Sequence, residues 1–291
     1  MRVAIGGSTG LLGTALAHRL RSEGHEVVGL VRGQPRPGQR HWDPDAGRID
    51  APGLSDVDAV VNLAGASIGR RWTKDRKAEL RRSRIASTLT IVTSLDPDGR
   101  CQRLLNASAI GVYGDAGFDV VDESSPPGRG FLAQLCLDWE AAAAHAAVPV
   151  VTLRTGNVLT PSGGFLGAQK ALFQACLGGR IGDGRQFVSW IGQEDWLRAV
   201  VWLLESDLTG PVNLVAPNPV TNAAFTRAYG RFLNRPTLIP TPLTAVRALF
   251  TREFVDEVLL ASTRVRPARL LHAGFSFTHP TLTRAFAALR P

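Results

Sequence analysis

Gly7, Gly10 and Gly13 stand three residues apart in Gly6-Gly-Ser-Thr-Gly-Leu-Leu-Gly13, and their type and spacing carry the first chemical reading of the chain. The first glycine permits a tight turn, the second lets main-chain N–H groups approach an anion, and the third lets the following helix pack closely on the strand. Val3, Ala4 and Ile5 before them suit a central parallel strand. Leu12, Ala15, Leu16 and Leu20 after them share one face of a helix that ends near Gly24. The positive end of that helix faces the anion. With a second strand at Glu26–Val31, the pattern implies a dinucleotide gripped by its diphosphate.

The residue that ends the second strand faces the adenosine ribose. A carboxylate there would accept from a 2′-hydroxyl and repel a 2′-phosphate. This chain has Arg32, nineteen residues after Gly13. Its guanidinium suits a phosphate through charge-assisted, bidentate hydrogen bonds, which predicts NADP(H) rather than NAD(H).

The elements that position these residues follow from pattern. Apolar strands recur at Val3–Ile5, Val27–Val31, Ala59–Leu63, Arg103–Ala107, Val150–Leu153 and Val212–Val215, with helical segments between them. The alternation predicts an α/β fold with a doubly wound parallel sheet, the Rossmann arrangement, and a smaller mixed C-terminal cap region. Residues 1–160 are expected to form the nucleotide-binding core. Residues 161–235 would complete the sheet and the substrate cap, and 236–291 would form a small helical domain with helices at Leu243–Phe250 and Thr281–Leu289. Further helices are expected at Asn222–Leu233 and Trp196–Glu205, with Asp195 capping the latter.

At 291 residues, 44% hydrophobic and 20% charged, the chain can bury a full core. No apolar run reaches the roughly 18 residues of a membrane helix, so no membrane partner is expected. The N-terminus reads as strand and turn, not as a signal peptide. Cys101, Cys136 and Cys176 show neither zinc nor disulfide spacing, and the six histidines are scattered. A reducing cytoplasm and no metal are the expectations. The net charge of +8 is mostly arginine, with lysine at Lys74, Lys77 and Lys170 alone. Eight basic residues crowd Arg70–Arg84 against Asp75 and Glu79. With Trp72 as its single interleaved aromatic, the patch reads as a solvated helix face or an anion-attracting rim beside the cofactor rather than a nucleic-acid surface. No pattern in the chain specifies an oligomeric state.

An ordered series of motifs gives the chain a family resemblance. After the glycine turn come Asn62-Leu-Ala-Gly65, Asn106-Ala-Ser-Ala109 with Tyr113-Gly114, Asp138-Trp-Glu-Ala141 and Leu153-Arg-Thr-Gly-Asn-Val158. Gly182-Asp-Gly184, Ser189-Trp-Ile191, Gly210-Pro-Val-Asn-Leu214, Arg235-Pro236, Arg266-Pro267 and Ala273-Gly-Phe275 complete it. The chain resembles an atypical member of the extended short-chain dehydrogenase/reductase superfamily, and more narrowly the epimerase-like family with a small C-terminal domain of unknown function. The Gly-x-x-Gly-x-x-Gly spacing agrees with that branch of the doubly wound fold.

The resemblance implies cofactor contacts at Thr9, Leu11 and Leu12 in the turn, Val31 and Arg32 after the second strand, and Leu63 and Ala64 after the strand Ala59–Leu63. Arg84 takes the place of an asparagine that reaches the cofactor in extended relatives, and would meet a phosphate or the substrate. Glu79 would orient a ribose or an arginine, or lie on the surface. Val158 would border the nicotinamide or belong to the core. The superfamily's Tyr-x-x-x-Lys pair, whose lysine lowers the phenol pKa for proton transfer, falls on Leu132 and Cys136. Neither restores it. Ser108 and Tyr113 are the surviving polar candidates for catalysis, each with an alternative as pocket wall or framework. Two functions therefore stand: an NADP(H)-dependent oxidoreductase of epimerase/dehydratase ancestry acting on a small organic substrate, or a non-catalytic NADP(H)-sensing protein that presents a conformation to a partner.

Overall fold

The structure, a computed structural model, describes residues 1–161 and 163–289. In chain order the first elements are β1 (Arg2–Gly6), α1 (Leu11–Ser22), β2 (Glu26–Val31), β3 (Gln39–Asp43), β4 (Arg48–Ile49), β5 (Ala59–Asn62), α2 (Lys74–Thr93) and β6 (Leu104–Ala109). A 3₁₀ turn at Ile110–Tyr113 leads to β7 (Val120–Val121), α3 (Phe131–Ala143), β8 (Val150–Thr155), β9 (Asn157–Leu159) and α4 (Gly164–Gln174). Then follow β10 (Phe187–Val188), β11 (Trp190–Gly192), α5 (Gln193–Glu205), β12 (Gly210–Leu214), β13 (Val220–Thr221) and α6 (Asn222–Leu233). The C-terminal stretch holds α7 (Leu243–Leu249), α8 (Arg252–Phe254), a π-helical turn at Val255–Leu260, β14 (Arg264–Val265), α9 (Ala268–His272) and α10 (Leu282–Ala288).

The expected doubly wound sheet is present, with strand order β12-β8-β6-β5-β1-β2-β3-β4. Every pairing in it is parallel except β3 with β4. Val3, Ala4 and Ile5 are fully buried because helices cover both faces of a central parallel strand. On one face Leu16 and Leu20 of α1 meet Trp196, Val200 and Leu203 of α5, joined by Leu270 and Phe275 from near the chain end. On the other, Val28, Leu30 and Val60 pack with Ile91 and Val92 of α2. The chain order switches direction between β5 and β1, and ligands of such sheets bind in the crevice beyond the strand ends at that point.

Some local readings need correction. β3 and β4 extend the sheet where no strand is expected, because Arg40 is buried within β3 by a bidentate pair with Asp56 at 2.9 and 3.0 Å. A strand that hides an arginine lacks an apolar signature. α2 begins at Lys74, not Arg70, and the Thr73 hydroxyl caps it by accepting from Arg76 N–H at 3.1 Å. Asp195 lies inside the first turn of α5 rather than before it. Its buried carboxylate accepts the N–H groups of Thr278 at 2.7 Å and His279 at 2.8 Å, so it anchors the chain's last segment and does not cap its own helix. Among the described residues, no helix is long and apolar enough to cross a membrane.

Asp195→Ala is expected to lower stability by ~2–4 kcal/mol, since it strands two buried amides and removes charge-assisted bonds. Urea unfolding followed by circular dichroism measures this. A midpoint equal to wild type would show that the C-terminal segment is held without the carboxylate.

Candidate functional site

The glycine turn owes its shape to two close approaches. Gly7 sits at φ +76°, and a Cβ there would meet the Leu63 carbonyl at 2.8 Å. A Cβ on Gly13 would lie 2.2 Å from the Gly7 carbonyl oxygen, so α1 can run this near the turn only without a side chain at that point. Gly10 N–H closes the turn on Gly7 O at 3.0 Å. Gly10 is the N-cap of α1, yet no side chain caps the helix and its first turn holds no acid. The N–H groups of Leu11 and Leu12 have no acceptor among the described residues. This exposed positive helix end, with Thr9 and Gly10 at the surface, is an anion receptor.

On the β2 side of the turn, Val31 is buried and Arg32 is exposed, with no acidic partner among the described residues. On the β5 side, Leu63 N–H bonds Gly6 O at 2.9 Å and Ala64 N–H bonds the Asn62 side chain at 3.2 Å. Asn62 is fully buried and donates to Asn106 at 2.8 Å and to Thr88 at 3.1 Å, while Trp139 donates to the same Thr88 hydroxyl at 2.9 Å. This knot fixes the backbone at Leu63 and Ala64 against α2, β6 and α3. Val158, in β9, pairs with Ile191 and packs half-buried against the main core.

The two candidates on α2 differ sharply. Glu79 is exposed and ion-paired to Arg76 at 2.6 Å. Arg84 is half-buried, with its guanidinium over the Trp139 ring at 5.0 Å and against Gly65, where a Cβ would sit 3.3 Å from its Cγ and Cζ. Its hydrogen bond goes to Leu80 O at 3.0 Å. No carboxylate lies within 4 Å of it among the described residues. Burial, helped by the like charge of Arg76, lowers its pKa to about 10. Much of the remaining basic patch is neutralised within the chain: Lys77 by Glu253 at 2.7 Å, Arg81 by Asp138, and Arg82 by Asp45 at 3.6 Å.

Ser108 and Tyr113 belong to one buried network. Ser108 donates to Glu140 at 2.6 Å, and Glu140 receives Arg154 through two bonds at 2.9 and 2.8 Å. Arg154 also donates to the Tyr113 oxygen at 3.1 Å, and the phenol donates to Asn213 at 2.7 Å. Ser108, Arg154 and Asn213 are register partners across β6, β8 and β12, which is why they meet. Burial raises the Tyr113 pKa against the pull of Arg154. Both hydroxyl protons therefore point into the protein. Glu140 and Asn213 escape the sequence reading: nothing local in Asp138-Trp-Glu-Ala141 or Gly210-Pro-Val-Asn-Leu214 marks a carboxylate that gathers Ser108 and Arg154 or an amide that receives Tyr113.

Leu132 and Cys136 pack against Gly111. Burial, reinforced by Glu140, pushes the Cys136 thiol up to about 11, so it is neutral near pH 7. The amides of Phe131 and Leu132 at the start of α3 are capped by Glu257 from the π-helical turn at 2.9 and 2.8 Å. A capping carboxylate from the C-terminal stretch is a long-range partner that no local motif announces.

Comparison with known proteins agrees with this architecture. The profile of the NAD dependent epimerase/dehydratase family matches residues 3–215, and that of a domain of unknown function, DUF1731, matches residues 241–289. An epimerase family protein of Mycobacterium bovis is 48% identical over 99% of this chain and 98% of its own length. The human epimerase family protein SDR39U1 is 36% identical, with 98% of both chains covered. A crystal structure of human SDR39U1 (isoform 2) with NADPH superposes at a TM-score of 0.91, with 35% identity and 99% of each chain covered. A Thermus thermophilus UDP-glucose 4-epimerase complexed with NAD shares the fold at a TM-score of 0.75 and 17% identity, covering 99% of this chain and 98% of that one. The chain belongs to the NAD dependent epimerase/dehydratase family, whose model spans residues 3–215, and carries a DUF1731 segment over residues 241–289.

Proposed function

We propose that this chain is an NADP(H)-dependent oxidoreductase of epimerase/dehydratase ancestry that acts on a small organic substrate. The observation that carries the reading is the uncapped start of α1, whose Leu11 and Leu12 amides face the crevice at the point where the sheet changes direction. In this reading Gly7, Gly10, Gly13 and Thr9 shape the diphosphate site, with the Leu11 and Leu12 amides as its donors. Arg32 takes the 2′-phosphate beside Val31. Leu63 and Ala64 present backbone to the other half of the dinucleotide, with Arg84, Glu79 and Val158 beyond them. The human relative crystallised with NADPH supports the choice of phosphorylated cofactor.

When bound, the cofactor supplies or accepts a hydride. Ser108 spends its proton on Glu140, so toward a substrate its oxygen is an acceptor, suited to orienting a hydroxyl or amide N–H. Tyr113 holds Asn213 and thereby the last strand of the sheet. With Leu132 and Cys136 in place of a tyrosine and lysine, sugar epimerisation in the usual manner has no proton carrier here. Residues 161–235 and 236–291 are proposed as the substrate-side cap, and the free cysteines suit a reducing compartment such as the cytoplasm.

One observation favours a second reading, a cofactor-binding protein without turnover: both candidate hydroxyls donate inward. Single-turnover oxidation of bound NADPH with a carbonyl library separates the two. Substrate-dependent loss of NADPH absorbance supports the oxidoreductase. Silence across the library with intact cofactor binding supports the second.

Arg32→Ala is expected to weaken NADPH binding by about tenfold or more, the worth of a charge-assisted bond, while leaving NADH affinity unchanged. Calorimetric titration with both nucleotides checks this, and equal effects on the two would remove Arg32 from the 2′-phosphate. Glu140→Gln should lower stability by roughly 3 kcal/mol by leaving Arg154 buried without its countercharge. Denaturant unfolding reads that loss.

A further inference from the structure

The charged residues named around α2 and α3 are largely paired within the chain. Glu140 is neutralised by Arg154, Glu79 by Arg76, Asp138 by Arg81 and Lys77 by Glu253, and Glu257 is held by the amides that open α3. Arg84 has no such partner among the described residues, although it is half-buried between Gly65 and Trp139. Nothing in the position 136 side chain opposes it, since that thiol is neutral. A desolvated guanidinium without a countercharge costs several kcal/mol in principle, so its retention calls for a purpose.

Its location suggests one. Arg32 marks the adenosine end of the crevice at β2, so the nicotinamide half of a dinucleotide extends the other way, over the ends of β5 and β6. Arg84 reaches that side, against Gly65, three residues past the end of β5. The reduced and oxidised cofactors carry the same phosphates and differ in the ring, which is neutral in NADPH and positive in NADP⁺. A fixed cation beside the ring therefore acts on their difference and not on their shared charge.

We propose that Arg84 makes this protein discriminate between the oxidation states of its dinucleotide, holding NADPH more tightly than NADP⁺ by repelling the oxidised ring. The inference rests on the cofactor reading above. It holds for an oxidoreductase, which would be biased toward reduction, and equally for a sensor, which would report the reduced fraction of the pool.

Calorimetric titration of the intact protein with NADPH and with NADP⁺ tests it without any substrate. A Kd ratio of about tenfold is expected, a magnitude that repulsion between two like unit charges at an effective dielectric of about 20 can supply. Wild type should show that preference. Arg84→Lys, which keeps the charge, should retain most of it, and Arg84→Gln should bring the ratio near one. Arg32→Ala serves as a control, because it should weaken both forms alike and leave the ratio in place. A wild-type ratio near one overturns the proposal, as does an Arg84→Gln protein that keeps the wild-type ratio or loses both forms equally. Failure of wild type to bind either form would instead overturn the cofactor reading itself.

Discussion

The approach of α1 to the turn that precedes it is the constraint on which the crevice depends. Because Gly13 has no side chain, the helix starts almost in contact with the Gly7 carbonyl, and its first amides have no acceptor among the described residues. A methyl group there would displace the helix from Leu16 and Leu20 downward, where it packs on α5. The anion receptor and one half of the hydrophobic core are thus set by the same few ångströms of clearance. Opposite the turn, the buried Asn62 performs the matching task by holding Ala64 through its side chain.

Beyond the receptor, the interior is wired for rigidity. The network from Ser108 through Glu140, Arg154 and Tyr113 to Asn213 joins three adjacent strands to α3 and the 3₁₀ turn. Its hydroxyl donors and its charges are satisfied internally, which buried polar groups require. A relative with a working tyrosine and lysine on α3 would place mobile protons in this region. Here Leu132 and Cys136 add no charge to it, and Arg84 of α2 is a cation without a carboxylate partner among the described residues.

Much of this was legible because it is local. The glycine turn, the apolar strands and the α1 face are short patterns whose meaning does not depend on distant residues, and six of the eight strands in the main sheet fall where those patterns stand. The position of Arg32 was legible for the same reason, one residue past the end of β2. What escaped is long-range and polar. β3 hides an arginine that only Asp56 makes tolerable. Asp195 looks like a cap until Thr278 and His279 arrive from some eighty residues away. Tyr113 reads as a free phenol until Asn213, a hundred residues on, receives its proton. The sequence marks Arg84 through the family motif it replaces, but its lack of a carboxylate partner emerges only when its neighbours are seen to be paired with others.

Glu123 accepts the N–H of Asn213 in β12 at 2.9 Å and that of Ala268 at 3.1 Å, and the Asn213 side chain donates to Arg266 O at 3.0 Å. Leu270 and Phe275 then enter the same core as Val3 and Leu16. The outermost strand on this side of the sheet is therefore finished by residues that lie 53 positions and more beyond Asn213 in the chain. A chain synthesised only as far as β12 would carry a nucleotide-binding layer with an unsealed edge, so co-translational folding can nucleate early but close only once residues 266–275 have emerged.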